Sequence, residues 1–275
     1  MTANLAKSMR SSKFILLLVL LVVGGICISW KIGVNHWTGH EQGESPSKQR
    51  DKVAAIGREL DEGRRKTAKH SEEQRLRQQE FSVHLNEARM QFESKKIPDT
   101  LAALDRADAA IEGRAETLNL RGSCHVEMRQ FDKALDDFRK AAGISKGNPS
   151  IQFNIGEVYF VTRRWQEALD VLEDLGQQLP PENMALGRLV EFKILLCKKQ
   201  LGRNDEALVL AEKYNIEDNS PFPWYAKAAL AFEANDPEKA EEWLASASRR
   251  FPNPNDRAPW QDTLVEYGLI EPFEP

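Results

Sequence analysis

The sequence repeats itself every 34 residues, and that period limits the fold more than any other feature. Gly122 and Gly156 stand 34 apart, as do Phe131 and Trp165, Ala134 and Ala168, and Phe138 and Leu172. One step back from Gly122 reaches Ala88, and the same step from Phe138 and Ala141 reaches Leu104 and Ala107. Each unit therefore has a small residue in its first half, a second one twelve positions later, and apolar residues four and seven beyond that. Small residues at the paired positions leave room for close approach, and the larger ones can fill the gap to the next unit. One such short unit cannot bury both of its faces, so the units must stack and the ends need caps.

This pattern resembles the tetratricopeptide repeat, a helix–turn–helix unit of 34 residues. In the copy from Pro149, Ile155-Gly156, Tyr159, Trp165, Ala168-Leu169, Leu172 and Leu175 fill the family's positions. The copy from Ala115 keeps Gly122, Phe131, Ala134, Phe138 and Ala141, and the copy from Phe81 has Thr100 where alanine is usual. Pro180-Pro181-Glu182-Asn183 then breaks the register: Ala168 and Ala207 are 39 apart, which places about five extra residues in that turn. A degenerate copy runs from Arg188 through Leu195, Gly202, Ala207 and Leu210. The last, from Pro221, carries Trp224, Ala228, Phe232, Ala240, Leu244, Ala247 and Pro252, with Asp236-Pro237 set to cap its second helix.

The resemblance implies an all-α, right-handed superhelical solenoid of about five hairpins over residues 81–254, divided at 81–114, 115–148, 149–187, 188–220 and 221–254. Residues 255–275 are expected to supply a capping helix and tail. Pro259 can open that helix, Trp260, Leu264 and Tyr267 share one face, and Gly268 can stop it.

Charge divides the chain into three. The net charge of −4 combines +4 over residues 1–40, +1 over 41–80 and −9 over 81–275. After the basic tail 1–13, Phe14 to Trp30 is a 17-residue run without a charge. At about 1.5 Å per residue it nears the length needed to cross a bilayer, and Ile32, Gly33 and Val34 extend it if Lys31 snorkels. Residues 14–34 thus read as a transmembrane signal anchor; a cleaved signal peptide shares the basic start and apolar stretch, but no A-x-A-like site follows. Lys7, Arg10 and Lys13 before the run place the N-terminus in the cytoplasm and the body across the membrane, which in a bacterium is the periplasm. Residues 35–80 form a polar, partly helical spacer. Val53, Ile56 and Leu60 share a face there, a stripe too short for a coiled coil.

No catalytic constellation emerges. His36 and His40 lack a carboxylate partner, His125 and Cys124 sit inside a repeat's first helix, and Cys197 reads as a small core residue. Acidic pairs such as Asp136-Asp137 read as solvated helix faces, and no phosphate-binding glycine loop occurs. The reading is a non-enzymatic chain with no cofactor, no metal and no small-molecule substrate. The acidic body disfavours nucleic acid and anionic lipid as partners.

In the tetratricopeptide family the first helices line a concave groove for protein or peptide segments. Carried over by position, the groove comprises Leu85, Arg89 and Phe92, then Asn119 and Ser123, then Phe153, Glu157 and Phe160, then Leu189 and Phe192, and finally Phe222, Tyr225 and Phe232. Its aromatics suit a segment with apolar anchors. At the positions of the family's chaperone-tail clamp stand Leu85, Arg89, Leu120, Ser150 and Asn154, so that clamp is absent. The whole resembles bacterial inner-membrane tetratricopeptide proteins that assist assembly or quality control of envelope proteins. A fixed subunit of a pilus or secretion-type assembly, and a cytosol-facing organelle import receptor, are the alternatives.

Overall fold

The structure, a computed structural model, describes residues 45–271, and the chain divides into two units between Arg65 and Lys66. Among the described residues eleven helices follow one another: α1 (Pro46–Glu93), α2 (Ile97–Ala110), α3 (Ala115–Glu127), α4 (Phe131–Ile144), α5 (Pro149–Val161), α6 (Trp165–Gln178), α7 (Met184–Gln200), α8 (Asn204–Ala211), α9 (Phe222–Glu233), α10 (Pro237–Arg250) and α11 (Pro254–Tyr267). No strand occurs among them. The tail 1–13 and the anchor segment 14–34 lie outside the described residues. Among the described helices none is long and apolar enough to cross a membrane.

The spacer and the first repeat are not separated in the backbone. The 48 residues of α1 run through position 81 without a break, because Ala, Glu, Gln, Lys and Arg dominate residues 51–80 and no proline interrupts them. Exposed pairs such as Arg75–Glu72 lie along it. Every residue from 46 to 80 is exposed, Val53, Ile56 and Leu60 included, and burial begins at Phe81.

Helices α2 to α10, with the last turns of α1, pair into five hairpins. Each hairpin turns on one residue in the left-handed region: Lys95, Arg129, Arg163, Gly202 and Asn235, with φ of 57°, 58°, 59°, 74° and 58°. The residue that follows folds back onto the first helix, as when Arg164 N donates to the Tyr159 carbonyl at 2.8 Å. Lys95, Arg129 and Arg163 are themselves 34 apart, as are Gly113 and Gly147, which turn between units with φ of 72° and 70°.

Close approach within each hairpin depends on the small residues. A methyl group built on Gly122 would sit 2.6 Å from a ring carbon of Phe138, and one on Gly156 would sit 2.8 Å from a methyl of Leu172. The buried residues form two clusters. Phe81, Leu85, Ala88, Ala103, Leu104, Ala107 and Cys124 make a small one around the first hairpin, and the other runs through units two to five and α11.

Two boundaries differ from the sequence reading. Helix α7 starts at Met184, not Arg188, because Met184 to Gly187 continue the helix upstream; the extra residues are shared between a loop at 180–183 and an added turn. Its partner α8 has only eight residues against fourteen in α6. Helix α11 starts at Pro254, five residues before Pro259, since Asn253 caps it by accepting from Asn255 N at 3.1 Å and Pro254 takes the first helical position. Pro259 sits inside, exposed, where it removes one bond of the second turn. Gly268, at φ 94°, ends the helix.

The path of α11 is the main departure. It does not simply continue the stack beyond α10: it also lies against α5 and α7, the first helices of units three and four.

Candidate functional site

Helices α5, α7 and α9 are neighbours in that order, and α11 covers the face they share. Trp260 enters between rings of units four and five, with centroid distances of 5.5 Å to Phe192, 5.8 Å to Tyr225 and 6.4 Å to Phe222. Seven residues on, Tyr267 stacks on Phe160 at 6.3 Å and tilts against Trp165 at 5.6 Å. Leu264 lies fully buried on the same side of α11. Ring pairs at these separations add attraction beyond burial alone.

Between the two aromatic anchors stands a charge. Lys193, on α7, is 2% exposed, and its ammonium donates to Glu157 Oε1 at 2.8 Å and to Glu266 Oε2 at 3.0 Å. It also lies 4.3 Å over the Phe160 ring. Burial alone would depress this lysine, but the two carboxylates outweigh it and hold its pKa above the ordinary lysine range. Burial pushes the Glu266 carboxyl up to about 7; Lys193 opposes that shift and Glu157 reinforces it. Burial raises Asp262, also on α11, against a smaller opposing pull from Lys193.

Polar satisfaction is incomplete on α11. Arg257 donates through Nη1 to Ser248 Oγ at 2.6 Å, but its buried Nε has no partner. The buried Tyr267 hydroxyl faces Gln200 and Glu233 without completing a hydrogen bond.

The residues read as groove lining fall into five groups. Phe160, Phe192, Phe222 and Tyr225 do converge on one face, but they are buried rather than open, because α11 sits on them; Tyr225 is pushed up to about 12 by that burial. Glu157 belongs with them through Lys193. Leu85 is buried in the cluster of the first hairpin, with Phe92 packed at its edge, so neither presents a free groove side chain. Phe153, Leu189 and Phe232 are half-buried. Arg89 and Asn119 line an open polar cavity of about 660 Å³ with Arg114, Asn148 and Ser150, and Asn119 accepts from Asn154 Nδ2 at 3.0 Å. Ser123 donates to the Asn119 carbonyl of its own helix. A second cavity, about 1060 Å³, opens between α6, α7 and α8, where the inserted turn and the short α8 part the second helices; Gly176, Leu179, Met184, Ile194 and Val209 line it.

Sequence reasoning missed Lys193 and Glu266. The signal was a lone cation within the otherwise apolar stretch Phe192 to Cys197.

Of the remaining candidate groups, His36 and His40 lie outside the described residues, and Cys124, Cys197 and His125 pack within the array. Burial pushes the thiols of Cys124 and Cys197 up to about 11 and about 12, which leaves them weak nucleophiles. His125 joins the paired helices α3 and α4, with Nε2 3.6 Å from Asp137 Oδ2 and Nδ1 3.0 Å from Gln130 Oε1. Asp137 is therefore buried against His125, not solvated like Asp136. Among the described residues no three His, Cys, Asp or Glu side chains gather as a metal site.

A family model described as "Tetratricopeptide repeat" matches residues 125–189. No curated protein matches the sequence. Among solved structures, TTC0263, a thermophilic tetratricopeptide protein of Thermus thermophilus, is similar at 16% identity and a TM-score of 0.51, covering 67% of this chain and 99% of its own. Pseudomonas aeruginosa pilF is similar at 15% identity and a TM-score of 0.51, covering 70% of this chain and 96% of its own. At these identities the likeness is one of fold. Residues 125–189 are thus a tetratricopeptide-repeat segment, set in an all-helical array that shares the fold of solved tetratricopeptide proteins.

Proposed function

We propose that the chain is a membrane-tethered capture module, which holds segments of partner proteins on the face of its first helices and assists the assembly or quality control of cell-envelope proteins. Residues 14–34 anchor it, the basic tail stays in the cytoplasm, and the array works on the far side, in a bacterium the periplasm. The hydrophobic run and its basic flank support the tether. The observation that carries the binding role is that the faces of α5, α7 and α9 already hold a helix, through two aromatic sockets and one buried cation.

The test places a photocrosslinking residue at position 89 or 119, on the open polar cavity, in the full chain in native membranes. The expected result is discrete partner adducts that a crosslinker at the exposed Glu241 does not give. Equal labelling from both faces would refute capture at this face. Protection of residues 81–275 from protease in intact cells, lost when the outer envelope is opened, tests the placement of the array.

A further inference from the structure

We infer that α11 is an internal stand-in for a partner helix: the face of α5, α7 and α9 is a groove for an amphipathic helix bearing two aromatic side chains seven residues apart and a carboxylate just before the second. Helix α11 leaves this groove when such a helix arrives. This rests on the reading of the array as a capture module and names the chemistry of one of its ligands.

Three features distinguish α11 from the helices that form the array. First, its route: besides touching the preceding hairpin, as stacking requires, α11 crosses back to α5 and α7. Second, its imperfect fit: the two buried polar side-chain atoms without a hydrogen bond among the described residues, Arg257 Nε and Tyr267 Oη, both belong to α11. Core helices rarely leave such atoms unpaired. Third, the buried cation of the receiving face stays paired without it. Lys193 keeps Glu157, its neighbour on α5, when Glu266 departs, so no lone charge is stranded. Contacts between paired helices, such as Leu172 against Gly156, do not involve α11.

The ligand's features are those of α11 itself. Phe192, Phe222 and Tyr225 accept an aromatic residue where Trp260 sits, Phe160 and Trp165 accept one where Tyr267 sits, and Lys193 accepts a carboxylate where Glu266 sits. An open face with this many rings would be a liability in water, which is why it is kept covered.

The test uses a labelled synthetic peptide of residues 254–270 as the probe and the full chain as the receptor. Wild-type chain should bind it weakly, because its own α11 occupies the groove. The double variant Trp260→Ser with Tyr267→Ser, whose α11 docks poorly, should bind about tenfold tighter or more, and a peptide carrying Glu266→Lys should lose that gain. Circular dichroism confirms that the variant array is folded; if it is not, the single variant Glu266→Lys, which opposes Lys193, takes its place. Hydrogen exchange on the wild-type chain gives an independent reading: amides of α11 should exchange ahead of those of α5 and α7. The inference is overturned by equal peptide binding in folded variant and wild type, or by α11 exchanging only together with α5 and α7. It is also overturned by a stable dimer in which two copies exchange α11. None of these results bears on crosslinking at positions 89 and 119, so failure of the groove model and failure of capture remain separate.

Discussion

Lys193 Nζ lies 3.0 Å from Glu266 Oε2, a contact that spans 73 residues of sequence and joins α7 to α11. Glu157 approaches the same ammonium at 2.8 Å. Two carboxylates thus share one cation in a buried setting, and full ionisation leaves one negative charge in excess. The proton that relieves it resides most readily on Glu266.

The docking of α11 is therefore expected to depend on pH. Glu266 has a folded pKa of about 7, above its ordinary value of 4.5. A carboxyl shifted upward stabilises the fold while protonated, so the contribution is fully present below about 4.5 and is lost as pH rises through about 7. Asp262 is shifted in the same direction. Wild-type chain should lose on the order of 2 kcal/mol of α11 docking between pH 5 and pH 8. Glu266→Gln should flatten that slope. Trp260 fluorescence against pH in both chains measures it, and matching slopes would assign the effect to another group.

Replacing the lysine should cost more than replacing its partner. Lys193→Met leaves Glu157 and Glu266 facing each other without a cation, a loss of about 3–5 kcal/mol at pH 8. Adding Glu266→Gln should recover part of it. Urea midpoints of the two single variants and the double variant give the coupling directly; purely additive effects would contradict a shared site.

The two close-approach glycines should respond differently to alanine. At Gly122 the added methyl meets three ring carbons of the buried Phe138 at 2.6–3.0 Å, whereas at Gly156 it meets a branched leucine tip. Alanine gains up to about 1 kcal/mol of helix propensity, against about 1–3 kcal/mol of overpacking. Gly122→Ala should be destabilising by about 1–2 kcal/mol, and Gly156→Ala closer to neutral. Thermal midpoints decide the order.

The hairpin turns offer a gain. Arg163 holds φ at 59°, a region costly for a side chain and free for glycine. Arg163→Gly relieves about 1–2 kcal/mol of backbone strain and adds about 0.4–1 kcal/mol of unfolded-chain entropy, so it should stabilise the chain by roughly 0.5–1 kcal/mol. A lower denaturation midpoint would show that the arginine side chain contributes more than its backbone costs.

Much of this architecture was legible in the sequence. The period located the hairpins, because the glycine and alanine positions obey a contact rule that has no alternative partner: Gly122 must face Phe138 and Gly156 must face Leu172. Asp236 and Gly268 were readable as caps for the same local reason. The turn residues were harder to read. Lys95, Arg129 and Arg163 recur at 34, but nothing in a basic side chain favours the left-handed region. The tertiary route of α11 was not legible at all. Its apolar face, Trp260, Leu264 and Tyr267, says that something covers it, and an end-on cap satisfies that as well as a groove does. For the same reason Phe160, Phe192, Phe222 and Tyr225 could be placed on one face but not judged open or covered.

The division of the hydrophobic core into two clusters, with α11 laid across three units of the larger one, has a mechanical consequence. A stack of hairpins coupled only to nearest neighbours yields like a spring, each joint contributing equally. Here α11 acts as a strut over units three to five and stiffens them into one block. Elastic bending is left to unit two, where the core divides within α3: Ala115 packs into the larger cluster and Cys124 into the smaller. Tension applied to the array would be taken up first in unit two, before the block that holds α11 deforms.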